Sequence, residues 1–187
     1  VKREPLHPNF SYKSGYHIVP AHYQTVVDSN DAAIVADRKF QEREGSVNFY
    51  SGYRCHNYHF KVYGAMFLGQ YRPAIEAAEE MITSTLTAEL LRVQSPPMAD
   101  WLEGYGSVKQ HVLIRFGRWK EIIAQELPED QELFCVTTTM MRYARAVALA
   151  SMGDLPAAEN ESALFDEALS RVPDSRHLFN NTCLDIL

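Results

Sequence analysis

Three times in this chain an apolar run of helical character stops at a glycine, and a second amphipathic run begins at once. The clearest copy reads Ala65-Met66-Phe67-Leu68-Gly69-Gln70-Tyr71-Arg72-Pro73-Ala74-Ile75. The others are Leu113-Ile114-Arg115-Phe116-Gly117-Arg118-Trp119-Lys120-Glu121-Ile122 and Ala148-Leu149-Ala150-Ser151-Met152-Gly153-Asp154-Leu155-Pro156-Ala157. A glycine just past a helix end supplies the positive φ that closes the last turn without steric cost, and a bulky apolar residue two places later staples the next helix. Pro73 and Pro156 fall in the first turn of the second helix, where a missing N–H costs nothing, and Asp154 is placed as an N-cap. Each copy therefore predicts a helical hairpin, and self-similarity of this kind decides the fold class before any other feature does.

A degraded fourth copy precedes these in His17-Ile18-Val19-Pro20-Ala21-His22-Tyr23, with Ala21 in the glycine position and Tyr23 as the staple. The turn residues at 21, 69, 117 and 153 are 48, 48 and 36 apart. The excess over a plain hairpin repeat falls in Glu44-Gly45-Ser46 and in Gln94-Ser95-Pro96-Pro97, which read as linkers between hairpins. The expectation is one all-α domain over 1–187, with hairpins at about 6–43, 48–93, 98–128 and 133–172 and the start of a further helix at 175–187. The non-methionine start and this open end suggest a fragment of a longer protein. An uncapped last repeat would expose an apolar face and invite self-association.

Composition narrows the function class. A formal charge of −6, from 24 acidic and 18 basic residues, gives no footprint for nucleic acid or an anionic membrane, both of which need clustered Lys and Arg. No apolar run approaches the ~18 residues of a membrane span and no apolar signal region opens the chain, so a cytoplasmic location is expected. Cys55, Cys135 and Cys183 are odd in number, widely spaced and unpaired in sequence, which disfavours a disulfide framework or a zinc knuckle.

The repeated residues resemble tetratricopeptide repeat proteins, whose period is about 34 residues, and the resemblance covers most of the chain. His56-Asn57-Tyr58-His59-Phe60, Arg115-Phe116-Gly117-Arg118-Trp119 and Tyr143-Ala144-Arg145-Ala146-Val147-Ala148 look like a divergent bacterial group of such proteins that has no assigned activity. The small-residue pattern of the family's second helix survives as Ala74 and Ala78. It is replaced by Ile122 and Glu126 in the next copy and by Ala158 and Ser162 in the last. The resemblance implies a right-handed superhelical array of about three full hairpins plus partial ones, whose first helices line a concave groove.

In that pattern the second, fifth, ninth, twelfth and thirteenth positions of the first helix face the groove. Counted back from the turn glycines they are His56, His59, Tyr63, Met66 and Phe67; then Gly104, Ser107, His111, Ile114 and Arg115; then Met140, Tyr143, Val147, Ala150 and Ser151. His56, His59, Tyr63, Phe67, His111, Arg115 and Tyr143 are the candidate contacts. The lining is aromatic, histidine-bearing and nearly uncharged, which suits an apolar or aromatic peptide segment. Tetratricopeptide co-chaperones that clamp a carboxylate carry Lys, Arg and Asn at these positions, and only Arg115 qualifies here. The expected role is a non-catalytic scaffold for a protein or peptide partner, with no cofactor. A helical accessory segment of a larger enzyme, or a structural spacer, are the rivals.

Sharper chemistry finds little support. His56 and His59, three apart on one helix face, could join His111 as metal ligands, but no Asp or Glu stands with them at ligand spacing. Cys55 beside His56 lacks a base aimed across a turn, because neighbouring helical residues point apart. Glu76, Glu79 and Glu80 form the polar side of a helix whose apolar side is Ile75, Ala78 and Ile82. Trp101, Tyr105 and Trp119 could cage a cation, although Trp119 is better explained as a staple and Trp101 as helix packing. Phosphate loops, hydrolase triads and dinucleotide fingerprints are absent from the sequence.

Overall fold

The computed structural model describes residues 22–178 and 180–187. Helices dominate: α1 (Tyr23–Glu44), α2 (Ser51–Phe67), α3 (Tyr71–Ser84), α4 (Ala88–Leu91), α5 (Met98–Leu102), α6 (Val108–Arg115), α7 (Trp119–Ile123), α8 (Cys135–Met152) and α9 (Leu155–Leu169). A 3-10 turn, Glu103–Ser107, joins α5 to α6. Two-residue strands β1 (His177–Leu178) and β2 (Asn181–Thr182) pair antiparallel near the end of the chain, with His177 opposite Thr182. Among the described residues the protein is all-α apart from this pair.

The three glycine turns share one geometry. Gly69, Gly117 and Gly153 have φ of 71°, 63° and 88°. Each glycine N–H bonds the carbonyl three residues back, at Met66, Ile114 and Ala150, and the next N–H bonds the carbonyl five back, at Ala65, Leu113 and Leu149, over 2.9–3.1 Å. These paired bonds satisfy carbonyls that a helix end leaves orphaned. The Asp154 carboxylate accepts from Ala157 N at 3.2 Å, as an N-cap should.

Packing follows chain order. Helix α1 lies on α2, α2 on α3, α3 on α6, α6 on α7, α7 on α8 and α8 on α9; in addition α2 touches α5 and α6, and α6 touches α8. Small residues allow the close approaches: Ala74, Ala77 and Ala78 of α3 and Ala144 and Ala148 of α8 are fully buried. At Gly64 a Cβ would stand 3.1 Å from Val26 and 3.2 Å from Val27, so α1 and α2 cross where only hydrogen fits without adjustment. Tyr71 ties the first turn to the second: its ring meets Phe116 edge-on at 5.2 Å, Arg118 lies over it at 4.8 Å, and its hydroxyl donates to Glu121 at 2.9 Å.

Several expectations change. The turn of the degraded copy at 17–21 lies outside the described residues, as does the first half of the 6–43 hairpin; Tyr23, its staple, opens α1 and stacks on Phe67 at 4.8 Å. The first helix of the third hairpin is split into α5, a 3-10 turn and α6, and its second helix is only 5 residues, α7. Pro128 disfavours helical backbone at Leu127, but the helix has already stopped at Ile123, four residues earlier. Leu155 does not staple: it is 61% exposed. Trp101, expected to pack, is 55% exposed.

Among the described residues of 175–187 the expected further α-helix is not found; β1 and β2 are followed by a 3-10 turn, Cys183–Asp185. Arg176, buried, donates to the Leu133 carbonyl at 3.2 Å and stands 3.5 Å from Asp100, while its own carbonyl accepts from Cys183 N at 2.8 Å. Asn180, between β1 and β2, is a residue type that favours turns. The segment folds back onto α5 and the 3-10 turn, so closely that a Cβ on Gly104 would stand 3.2 Å from Cys183 Sγ. The exposed positions of α9 include the polar residues Glu159, Asn160, Ser162, Asp166 and Glu167, while Leu184 and Ile186 near the end of the chain are exposed apolar side chains.

Candidate functional site

Helix α2 places His56, His59, Phe60 and Tyr63 along one side, spaced three and four apart so that they share a face. The 3-10 turn brings Tyr105 to this row and α6 brings His111. His59 packs on Tyr63 at 4.6 Å between ring centroids and meets Tyr105 edge-on at 5.6 Å; His56 packs on Phe60 at 4.4 Å. Tyr63 is the hub. Its hydroxyl and His111 Nδ1 are hydrogen-bonded at 2.6 Å, and the rings meet at right angles 6.2 Å apart.

Burial sets the charge state. It pushes His59 down to about 3, with lesser contributions from the like charges of His111 and His56, and it lowers His56 and His111 as well. The same cause raises the phenols of Tyr63 and Tyr105. At neutral pH the cluster is therefore a set of neutral imidazoles and protonated phenols, able to stack and hydrogen-bond but carrying no formal charge.

The predicted groove residues divide. His56, His59, Tyr63 and His111 come together in this cluster. Phe67, 56% exposed, continues the α2 face one turn further, and Arg115 ends α6 in solvent. Tyr143, 43% exposed, lies on α8 with its ring 6.4 Å from Phe165 of α9, outside the cluster. Gly104, Ser107 and Met140 were expected to line the groove and are buried instead, Gly104 beneath the returning C-terminal segment.

The metal alternative loses its geometry, because Tyr63 packs on His59 and bonds His111, holding an aromatic ring against both imidazoles. Among the described residues no three His, Cys, Asp or Glu side chains are placed to hold a metal ion. Cys55 is fully buried and its thiol is pushed up to about 12 by that burial, the opposite of what a nucleophile needs. The three cysteines are free thiols. The α3 carboxylates go to three different cations: Glu76 to Arg72, Glu79 to Lys109 and Glu80 to Arg38. Tyr105 is buried against His59 and the Trp119 ring lies beside Gly117, 3.7 Å from where a Cβ would stand, which leaves exposed Trp101 without the partners a cation cage requires.

Sequence reasoning missed Glu103. It is 1% exposed, and its carboxylate accepts from Val136 N at 3.0 Å, Thr137 N at 2.8 Å and Thr137 Oγ1 at 2.6 Å. A side chain from another hairpin thus caps the N-terminus of α8, where the helix dipole also favours an anion. No local signal near α8 announces it.

No family model, curated protein or solved structure matches this chain. The fold therefore defines the class by itself: an all-α protein of packed helical hairpins joined by glycine turns. Among the described residues no helix is long and apolar enough to cross a membrane.

Proposed function

We propose that the protein is a non-catalytic interaction module, a right-handed tetratricopeptide-like array that holds an apolar or aromatic peptide segment of a partner protein on the face formed by its first helices. The observation that carries this reading is the neutral row on α2 and α6, His56, His59, Tyr63 and His111, continued by exposed Phe67 and flanked by exposed Tyr143 of α8. Half-buried aromatic groups that carry no charge and keep hydrogen-bonding edges are the kind of surface that anchors peptides. The shared hydrogen bonds of the three glycine turns and the contact of successive first helices support the array. Three free thiols fit a reducing cytoplasm.

The test is affinity capture from lysate of the source cells, comparing the native chain with a Tyr63→Ala, Phe67→Ala, Tyr143→Ala variant of matching circular dichroism. Retention of a specific partner by the native chain and its loss from the folded variant supports the module. A partner held equally by both would refute the face.

A further inference from the structure

The short helix α7 leaves an opening that the neighbouring hairpins do not have. Their second helices run 14 residues in α3 and 15 in α9, against 5 in α7, after which residues 124–134 leave the helical path. A cleft of about 530 Å³ lies between α3, α6, α8 and this segment. None of the groove candidates lines it. Its apolar walls are Ile82, Leu127, Pro128, Phe134 and Met141. Gly106 lines it with bare backbone, because a Cβ there would stand 2.5 Å from Thr137 Oγ1.

Two features give the cleft a chemistry. Gln110 and Gln125 face each other across it as a reciprocal carboxamide pair, Nε2 to Oε1 at 3.0 and 3.3 Å. The exchange uses one donor and one acceptor of each amide, so acceptor capacity remains on both for a main-chain amide. The second feature is charge. Lys109, the one cation in the lining among the described residues, is paired to Glu79 at 3.0 Å, whereas Glu126 also lines the cleft and Glu129 and Glu132 are exposed on the same segment. Asp130 is neutralised by Arg92 at 2.8 Å; Arg145, which donates to the Gln125 carbonyl, shares Glu161 at 3.9 Å with Arg142 at 3.0 Å, so this group leaves one positive charge against the three free carboxylates of the segment. The mouth is acidic and the interior apolar.

We infer that this cleft is a second binding site, for a basic amphipathic peptide segment that inserts one or two large apolar side chains and sets Lys or Arg against Glu126, Glu129 and Glu132. A volume of this size accommodates such anchors, and opposite charge at the rim brings the peptide in and orients it. The site is independent of the first-helix face, and either can fail without the other.

The test uses the whole chain and a fluorescent synthetic peptide of amphipathic Leu-Lys repeats, with a Leu-Glu peptide of the same length as control, read by anisotropy. The native chain binds the Leu-Lys peptide saturably and the Leu-Glu peptide at least about tenfold more weakly. Reversing the three exposed carboxylates, Glu126→Lys, Glu129→Lys and Glu132→Lys, weakens Kd by about tenfold or more, and so does Leu127→Arg, which fills the cleft from its own wall. Phe67→Ala with Tyr143→Ala leaves Kd unchanged. Non-saturating binding, equal binding of the two peptides, or an unchanged Kd for folded Leu127→Arg overturns the site, the last because the association would then be diffuse surface attraction.

Discussion

Replacing Glu103 by alanine removes one acceptor from three donors at once. Val136 N and Thr137 N, at 3.0 and 2.8 Å, lose their only buried acceptor in the α8 first turn, and Thr137 Oγ1 at 2.6 Å loses its own. An orphaned buried N–H costs about 1–3 kcal/mol, and removing one member of a buried charged network costs about 3–5 kcal/mol. The donors do not simply add, because water enters part of the space left by the side chain, so Glu103→Ala is expected to lose about 3–5 kcal/mol. Glu103→Gln keeps the shape and one good acceptor. Burial raises the carboxyl of Glu103 against the donors that favour its ionised form, so the charge contributes less than the acceptor geometry, and Gln should cost only about 1–2 kcal/mol. Urea unfolding followed by far-ultraviolet circular dichroism measures both, with m checked for constancy. A loss under about 1 kcal/mol for the alanine variant, or equal losses for both, would refute this account of the cap.

Three further outcomes follow from the same geometry. Gly153→Ala places a Cβ at φ 88° and should lower stability by about 1 kcal/mol in thermal denaturation, from backbone strain alone, since no atom lies within 4 Å of that Cβ. Leu155→Ser should change stability by under about 0.5 kcal/mol because the side chain is exposed, whereas Tyr71→Ser, which removes the ring packed on Phe116 and beneath Arg118, should cost at least about 2 kcal/mol in the same urea assay. For pH, His59 stays neutral in the folded chain down to about 3 while the unfolded chain takes the proton near 6.5. The unfolded state therefore binds more protons in that window, and stability is complete above it and falls as pH drops. His59 accounts for about 2 kcal/mol of loss between about pH 7 and pH 5, and His59→Gln should lose that much less over the same interval.

What the sequence made legible was local. Turn glycines, first-turn prolines and the Asp154 cap are decided by backbone sterics within a few residues, and all appear in place. The His56, His59, Tyr63 row was legible because three- and four-residue spacing fixes a helix face, and His111 joined it through the repeat register. Non-local features were hidden. Glu103 caps a helix 33 residues away, at Val136, and nothing near Cys135 signals it. The return of 175–187 depends on Arg176 reaching Leu133 and Asp100, so a helix-like opening lost to tertiary contacts. Leu155 matched the staple pattern, but the pattern specifies a residue type and not the neighbour it must touch. The break of the third hairpin's helices had no signal where it falls, since Pro128 lies beyond the end of α7, and the cleft it opens required α3 and α8 to be seen beside it.

The most direct test of the central claim is amide chemical-shift mapping on the isotope-labelled chain, with a peptide taken from the partner found by capture. The account predicts that the perturbed amides cluster at Tyr63, Phe67, His111 and Tyr143 and fade in the Tyr63→Ala, Phe67→Ala, Tyr143→Ala variant. Perturbations confined to residues outside the α2, α6 and α8 face would contradict it.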